Sequence, residues 1–112
     1  MTEPIYPGDV VTVRTNDPAV AGSGFKNAAG VLTDPTTVTL KWGYASSATA
    51  LATSITTWVY GIDSQVVKDS TGVYHADIPV TQAGIHRFRW VGTGTVVAAS
   101  EGSFLAITEF PT

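Results

Sequence analysis

Side chains of opposite character alternate within the segment Asp69–Trp90, and this alternation constrains the fold more than any other sequence feature. Two alternating runs, 73–78 and 85–90, are separated by a break that contains proline and glycine. Each run has one mainly apolar face, formed by Tyr74, Ala76 and Ile78 in the first and by His86, Phe88 and Trp90 in the second. Because successive side chains of a strand point to opposite faces, the pattern predicts a β-hairpin within an antiparallel sheet that covers a core.

Further short strands are predicted on both sides of this hairpin. Runs rich in Val, Thr and aromatic residues, bounded by turn signals, predict strands at 9–14, near Phe25, and at 36–43, 56–60, 64–68, 95–99 and 103–108. Glu101 and Gly102 predict a bulge or kink. The Ala-, Ser- and Thr-rich segment 44–55 fits either a helical turn or a loop. Seven to nine short strands predict an all-β fold, either a β-sandwich or a small barrel.

The large aromatic residues favour an Ig-like antiparallel β-sandwich. Trp42 and Trp90 both lie on predicted inward faces, so one large aromatic would fill the centre of each sheet. The sequence contains no cysteine, so packing without a disulfide must hold the sheets together. The predicted core comprises Val38, Leu40, Trp42, Tyr74, Ile78, Phe88, Trp90 and Phe104.

Length and composition predict one weakly charged domain. The 112 residues suit a single domain, here 9–108, with an extended N-terminal arm at 1–8 and a short tail at 109–112. Only 13% of the residues are charged, against about 25% in typical soluble domains, which suits permanent contact with other subunits. The formal net charge is −3, and the lack of a basic stripe argues against nucleic-acid binding.

The N-terminal segment predicts an arm rather than a targeting signal. Pro4 and Pro7 favour extended backbone, and Ile5 and Tyr6 could anchor the arm to a partner or to the domain itself. We find no basic region followed by an apolar segment, and no apolar run long enough to cross a membrane. We therefore expect a chain made and kept in the cell interior until assembly, with no membrane partner.

The sequence shows no pattern of residues that predicts catalysis, metal binding or a cofactor. His75 and His86 are the only histidines, and neither belongs to a motif with metal-ligand spacing. No serine stands in a nucleophile motif, and no pair of carboxylates stands out. Gly22-Ser23-Gly24 is not followed by the residues of a phosphate-binding loop. We predict a protein without enzymatic activity or cofactor.

Arg87 and Arg89 form the outward face of the second alternating run. They could form a sheet face that is simply exposed to solvent, as is usual for charged residues. They could equally form a docking face beside Trp58 and Tyr60, since arginine and aromatic residues are enriched at interface centres. Both interpretations stay open at the level of sequence.

A series of turn and strand motifs gives the chain a resemblance to a known family. The motifs are D-x-x-G-x-Y, a Pro/Gly turn, a strand ending in Arg-Trp, a Gly-Thr-Gly turn and an E-G-x-F strand. They correspond here to Asp69, Gly72 and Tyr74; Gly84; Arg89 and Trp90; Gly92-Thr93-Gly94; and Glu101, Gly102 and Phe104. The segment 34–40 is similar to the first central strand of the same family. Over residues 8–107 the chain resembles small proteins from the structural gene block of tailed bacteriophages.

The resemblance implies an Ig-like sandwich that is made in the bacterial host cytoplasm and located in a virion. It implies a structural role, either as a decoration protein on the capsid or as a ring component of the neck or head–tail connector. The expected partners are the major capsid protein or other virion subunits, with the chain present as a homo-oligomer or in multiple copies in an assembly. A carbohydrate- or cell-surface-binding module of a phage fibre is a further alternative. The segment 44–55 departs from the family pattern and could be a contact loop.

Overall fold

The computed structural model describes residues 5–16, 24–45 and 53–107, with only the backbone at 53 and 54. Within these ranges the chain forms seven strands: β1 Val10–Arg14, β2 Thr37–Ala45, β3 Thr53–Val59, β4 Val66–Ser70, β5 Val73–Pro79, β6 Gly84–Thr93 and β7 Ala98–Ala106. The same ranges contain no helix that could cross a lipid bilayer. Residues 1–4 of the predicted arm, 46–52 of the predicted contact loop and the tail 109–112 lie outside the described residues.

The seven strands form two antiparallel sheets, which confirms the predicted sandwich. One sheet has the order β1-β5-β4, and the other has the order β3-β2-β6-β7. The sequential pairs β2–β3, β4–β5 and β6–β7 are neighbours in a sheet, and the chain changes sheets between them. In Ig nomenclature, the first sheet corresponds to strands B, E and D and the second to C′, C, F and G.

The predicted hairpin at residues 73–90 is wrong, because β5 and β6 belong to different sheets. The connection between them crosses from one sheet to the other. Its Val80 is held at the crossing by the arm: the Gly8 N–H donates to the Val80 carbonyl at 2.7 Å, and the Val80 N–H donates to the Asp9 carbonyl at 2.9 Å. The apolar faces of β5 and β6 therefore face each other across the core instead of lying side by side.

The core lies between the two sheets and is built from both. Ten buried residues form it: Val13, Phe25, Val38, Leu40, Val66, Tyr74, Ala76, Ile78, Trp90 and Val96. Trp42, Phe88 and Phe104, which were predicted as core, are only partly buried and pack against this cluster. All three lie at the margin of the cluster, so part of each side chain stays exposed to solvent.

The prediction that Trp42 and Trp90 fill the centres of different sheets is wrong. Trp42 and Trp90 lie in the same sheet, because β2 and β6 are neighbours and Leu40 stands opposite Trp90. The large aromatic of the three-stranded sheet is Tyr74, which packs edge-on against Phe25 at a centroid distance of 6.1 Å. Tryptophan from one sheet and tyrosine from the other thus fill the middle of the sandwich.

Three strand predictions differ from the structure. The region of Phe25 forms an isolated bridge between Lys26 and Leu32 rather than a strand. The two segments predicted at 95–99 and 103–108 are one strand, β7, which passes through Gly102 in continuous register with β6. The expected bulge is absent from this pairing. Close packing instead explains the glycine at position 102, since a Cβ there would lie 2.5 Å from Cζ of Phe88.

The Asp34 carboxylate joins the loop before β2 to β4 and β5. It accepts hydrogen bonds from Nζ of Lys68 at 2.6 Å, the Gly72 N–H at 2.8 Å and the Tyr74 hydroxyl at 3.0 Å. The Lys68 hydrogen bond, followed by that of Gly72, lowers the pKa of Asp34 below its ordinary value. Burial, and then the bond to Asp34, raises the pKa of the Tyr74 hydroxyl.

We expect Asp34→Asn to destabilise the fold at neutral pH and to flatten its acid response. A lowered folded-state pKa means that ionised Asp34 stabilises the fold above its unfolded-state pKa, and that this stabilisation disappears as pH falls through the folded-state pKa. The loss at pH 7 should be about 1 kcal/mol, since Asp34 and Lys68 are each about a third exposed and solvent screens the pair. Urea denaturation of both proteins between pH 7 and pH 2 measures the difference, which should shrink below about pH 4. A constant difference over this range would contradict the assignment.

Gly72 is required at the β4–β5 turn by both its backbone angle and its surroundings. Its φ is +76°, and a Cβ there would lie 2.6 Å from the Phe25 carbonyl oxygen. That oxygen also accepts the Thr33 N–H at 3.0 Å, so it cannot move without loss of a hydrogen bond. Gly30 has a similar φ of +78°, but nothing lies within 4 Å of the position of its Cβ.

We therefore expect Gly72→Ala to destabilise the protein more than Gly30→Ala does. The positive φ alone should cost roughly 1–2 kcal/mol at either position. Only Gly72→Ala adds the clash with Phe25, so its urea midpoint should be the lower of the two. Equal midpoints would show that the backbone angle, and not the close contact, requires glycine at position 72.

Candidate functional site: the outer face of the four-stranded sheet

The outer face of the four-stranded sheet gathers charged side chains from neighbouring strands. The inward positions of β2 and β6 hold Leu40 and Trp90, so the alternate positions point to solvent. The pairing of the strands places four of these outward residues in one row across the sheet, in the order Thr57, Lys41, Arg89 and Glu101. Arg87 lies two residues before Arg89 on the same face of β6.

Glu101 is shared between the two arginines. Its Oε1 lies 2.6 Å from Nη1 of Arg89, and its Oε2 lies 3.7 Å from Nη2 of Arg87. The side chains of Arg89 and Glu101 are about half exposed, at 51% and 49%. Ion pairs with this exposure contribute about 0–1 kcal/mol to stability. Their main effect is to hold the guanidinium groups at the surface of the sheet.

Lys41 stands directly opposite Arg89 in the β2–β6 pairing. Like charges placed directly opposite each other on a sheet are destabilising. Glu101 lies on the other side of Arg89, and no carboxylate among the described residues forms an ion pair with Lys41. The outer face thus carries three cations against one carboxylate, although the whole chain has a formal net charge of −3.

A shallow groove of about 390 Å³ runs through this group of charges. Lys41, Arg87, Arg89 and Glu101 line it together with Ile55 and Thr57 of β3, and Trp42 and Phe88 also contribute to the lining. Ile55 is half exposed, so the groove offers an apolar wall beside the cations. We call the outer surface formed by Lys41, Ile55, Thr57, Arg87, Arg89 and Glu101 the cationic face. Its chemistry suits a carboxylate-bearing partner surface with some apolar character.

The predicted contact residues are distributed over two separate places. Arg87 and Arg89 lie together on the cationic face. Ile5 pairs instead with Ala106 of its own chain, and the Tyr6 N–H donates to Oδ2 of Asp9 at 2.8 Å. The arm residues are therefore bound to the domain itself in this structure.

The prediction that Trp58 and Tyr60 lie beside the two arginines is wrong. Trp58 stands opposite Leu40 on the inner side of the sheet and packs edge-on against Trp42 at 5.3 Å. Tyr60 lies beyond the end of β3 and contacts the Tyr74 ring. The residues of β3 that accompany the arginines are Ile55 and Thr57. Sequence reasoning missed them, together with Lys41 and Glu101, because only strand register brings these residues together.

Neither histidine lines the cationic groove. His86 is buried, stacks on Phe104 at a centroid distance of 4.9 Å and has Nδ1 3.2 Å from the Gly84 carbonyl. His75 lies on the three-stranded sheet with Nδ1 2.7 Å from Oδ1 of Asp69. In the part of the chain that the structure describes, no three His, Asp or Glu side chains gather as a metal ion would require.

The exposed tyrosines do not form a common platform for a sugar ring. Tyr44 lies near one end of β2, whereas Tyr60 donates its N–H to Val38 near the other end. Six residues of strand separate Tyr44 from Val38, which corresponds to about 20 Å. The aromatic surface expected of a carbohydrate-binding module is thus split between opposite ends of the sheet.

Searches against protein-family models, curated proteins and solved structures found no match to this chain.

We expect Lys41→Glu to stabilise the folded protein. The substitution replaces a like-charge pair with an opposite-charge pair facing Arg89, which should contribute about 0.2–1 kcal/mol. Lys26→Glu is the matched control, because Lys26 is exposed, forms no ion pair with a described residue and gives the same change in net charge. Urea denaturation at low ionic strength should give Lys41→Glu the higher midpoint, and about 1 M salt should remove the difference. A lower midpoint for Lys41→Glu than for Lys26→Glu would contradict the predicted repulsion.

Proposed function

We propose that this chain is a non-enzymatic structural subunit of a tailed-phage virion, which decorates the capsid by docking its cationic face on the major capsid protein. The observation that carries the proposal is the like-charge pair of Lys41 and Arg89 on an exposed sheet face. Like charges directly opposite each other on a sheet are destabilising, and an anionic partner bound across both cations would relieve the repulsion. The resemblance of residues 8–107 to phage structural proteins supplies the setting.

The charges of the cationic face support a carboxylate-rich partner. Glu101 holds Arg87 and Arg89 in a defined position, and the guanidinium group of Arg89 can bind a second carboxylate through its remaining N–H groups. Lys41 adds a cation that no described carboxylate neutralises. Water leaves such a groove on docking, and the interactions between opposite charges then become stronger than they are in solvent.

Repetition would make a modest contact sufficient. One face of a domain this small can bury only a limited area, so each copy on its own would bind weakly. Capsid sites recur around symmetry axes, and neighbouring copies that also touch each other gain avidity. The low proportion of charged residues, 13%, is compatible with such extensive subunit contact.

The proposal is tested by binding to virions assembled without this chain. Purified protein is added to the particles, which are then sedimented, and the bound copies per particle are counted at several salt concentrations. We expect saturable binding of hundreds of copies that weakens with increasing salt. Six or twelve copies would indicate a neck or connector ring instead, and failure to bind any virion component would overturn the proposal.

The double variant Lys41→Gln/Arg89→Gln tests whether the cationic face makes this contact. It removes two cations without adding negative charge, and its affinity for the particles should fall by about tenfold or more. Arg14→Gln is the control, because Arg14 is an exposed arginine on the other sheet, where it pairs with Asp69 at 3.4 Å. Circular dichroism verifies that all variants are folded. Equal loss of binding in the double variant and in the control would exclude the cationic face as the docking surface.

A further inference from the structure

The sandwich has an apolar seam between the outer edges of its two sheets. β1 is the outer strand of one sheet, and β7 is the outer strand of the other. A groove of about 460 Å³ runs between them, with Val11, Val13, Phe88 and Phe104 among its lining residues. Phe88 and Phe104 are only partly buried there. The seam therefore combines apolar side chains with strand edges that can form further backbone hydrogen bonds.

The N-terminal arm occupies one end of this edge. Ile5 pairs with Ala106 in parallel orientation, and the Ile107 N–H donates to the Ile5 carbonyl at 2.8 Å. Among the described residues, Ile5 alone pairs with the outer edge of β7. The Ile5–Ala106 pair thus places backbone of the arm directly beside the outer edge of β7. An extended segment of this sequence therefore fits this edge.

A short turn connects the arm to β1. The Asp9 N–H donates to the Tyr6 carbonyl at 3.0 Å, and the Tyr6 N–H donates to the Asp9 side chain. Gly8, within the turn, has a φ of +100°, and nothing lies within 4 Å of the position of its Cβ. Proline precedes it at position 7. The closed arm thus depends on one glycine in a conformation that other residues rarely adopt.

We propose that two copies of this chain exchange their N-terminal arms, so that Ile5 of each copy pairs with the β7 edge of the other. The exchanged contact is identical to the one seen within the chain, so no new complementarity is required. If the turn at Gly8 opens into extended backbone, the arm extends away from its own β7 and can reach a second copy. Exchange of an identical element between two copies is a low-cost route to a dimer. The inference is independent of the cationic face and of its proposed partner.

Exchange can be detected by mixing two single-cysteine variants, because the natural chain contains no cysteine. One variant carries Ile5→Cys, and the other carries Ala106→Cys. The two positions are paired in the structure, so a disulfide between the different variants forms efficiently only when the arm of one copy lies on β7 of the other. We expect the mixed disulfide dimer under mild oxidation, in excess over the two homodimers. The proposal would be overturned if the mixed disulfide dimer were no more abundant than the amount that random collision between the two variants produces.

Gly8→Ala provides a second test that does not depend on cysteine substitution. Alanine at a φ of +100° disfavours the closed turn and leaves the open connection unaffected, so exchange should increase. The expected change is about tenfold in the association constant for each hinge, measured by analytical ultracentrifugation over a concentration series. Gly61→Ala is the control, because its φ of +88° and open surroundings are similar but it lies after β3. If Gly8→Ala remains as monomeric as Gly61→Ala, the arm does not exchange.

Discussion

Burial of Trp90 between the two sheets is the constraint on which the rest of the structure depends. Its side chain has no exposed surface and stands opposite Leu40 in the central strand pair. Because side chains alternate along a strand, this placement directs Arg89 and Arg87 to the outer face. A shift by one residue would bury both guanidinium groups and expose the indole, so the register is strongly specified. Core and cationic face are thus determined by the same strand.

Local alternation was sufficient to predict the fold class, but it did not identify the partner of each strand. The prediction at 73–78 coincides closely with β5, because period-2 patterning is a property of a single strand. The predicted β5–β6 hairpin failed because an apolar face looks the same whether its neighbour lies beside it or across the core. The crossing is held by a segment remote in sequence: the Gly8 N–H donates to the Val80 carbonyl, and the Asp9 carbonyl accepts from the Val80 N–H.

The candidate face was predictable only in part for the same reason. Arg87 and Arg89 were visible as the polar side of one alternating run. Lys41 joins them only through the β2–β6 register, and Glu101 only through the β6–β7 register. The repulsion between Lys41 and Arg89 could not be seen before that register was known. Natural proteins commonly retain such unfavourable local choices where a surface serves binding rather than stability.

The order of the strands also determines when the two sheets can form during synthesis. The three strands of the first sheet are all present once the chain extends to Pro79. β2 must wait for β6, and until then it has only β3, a two-stranded arrangement that is marginally stable in water. The four-stranded sheet is therefore completed last. A partially synthesised chain therefore lacks the strand register that brings Lys41, Arg89 and Glu101 into one row on the cationic face.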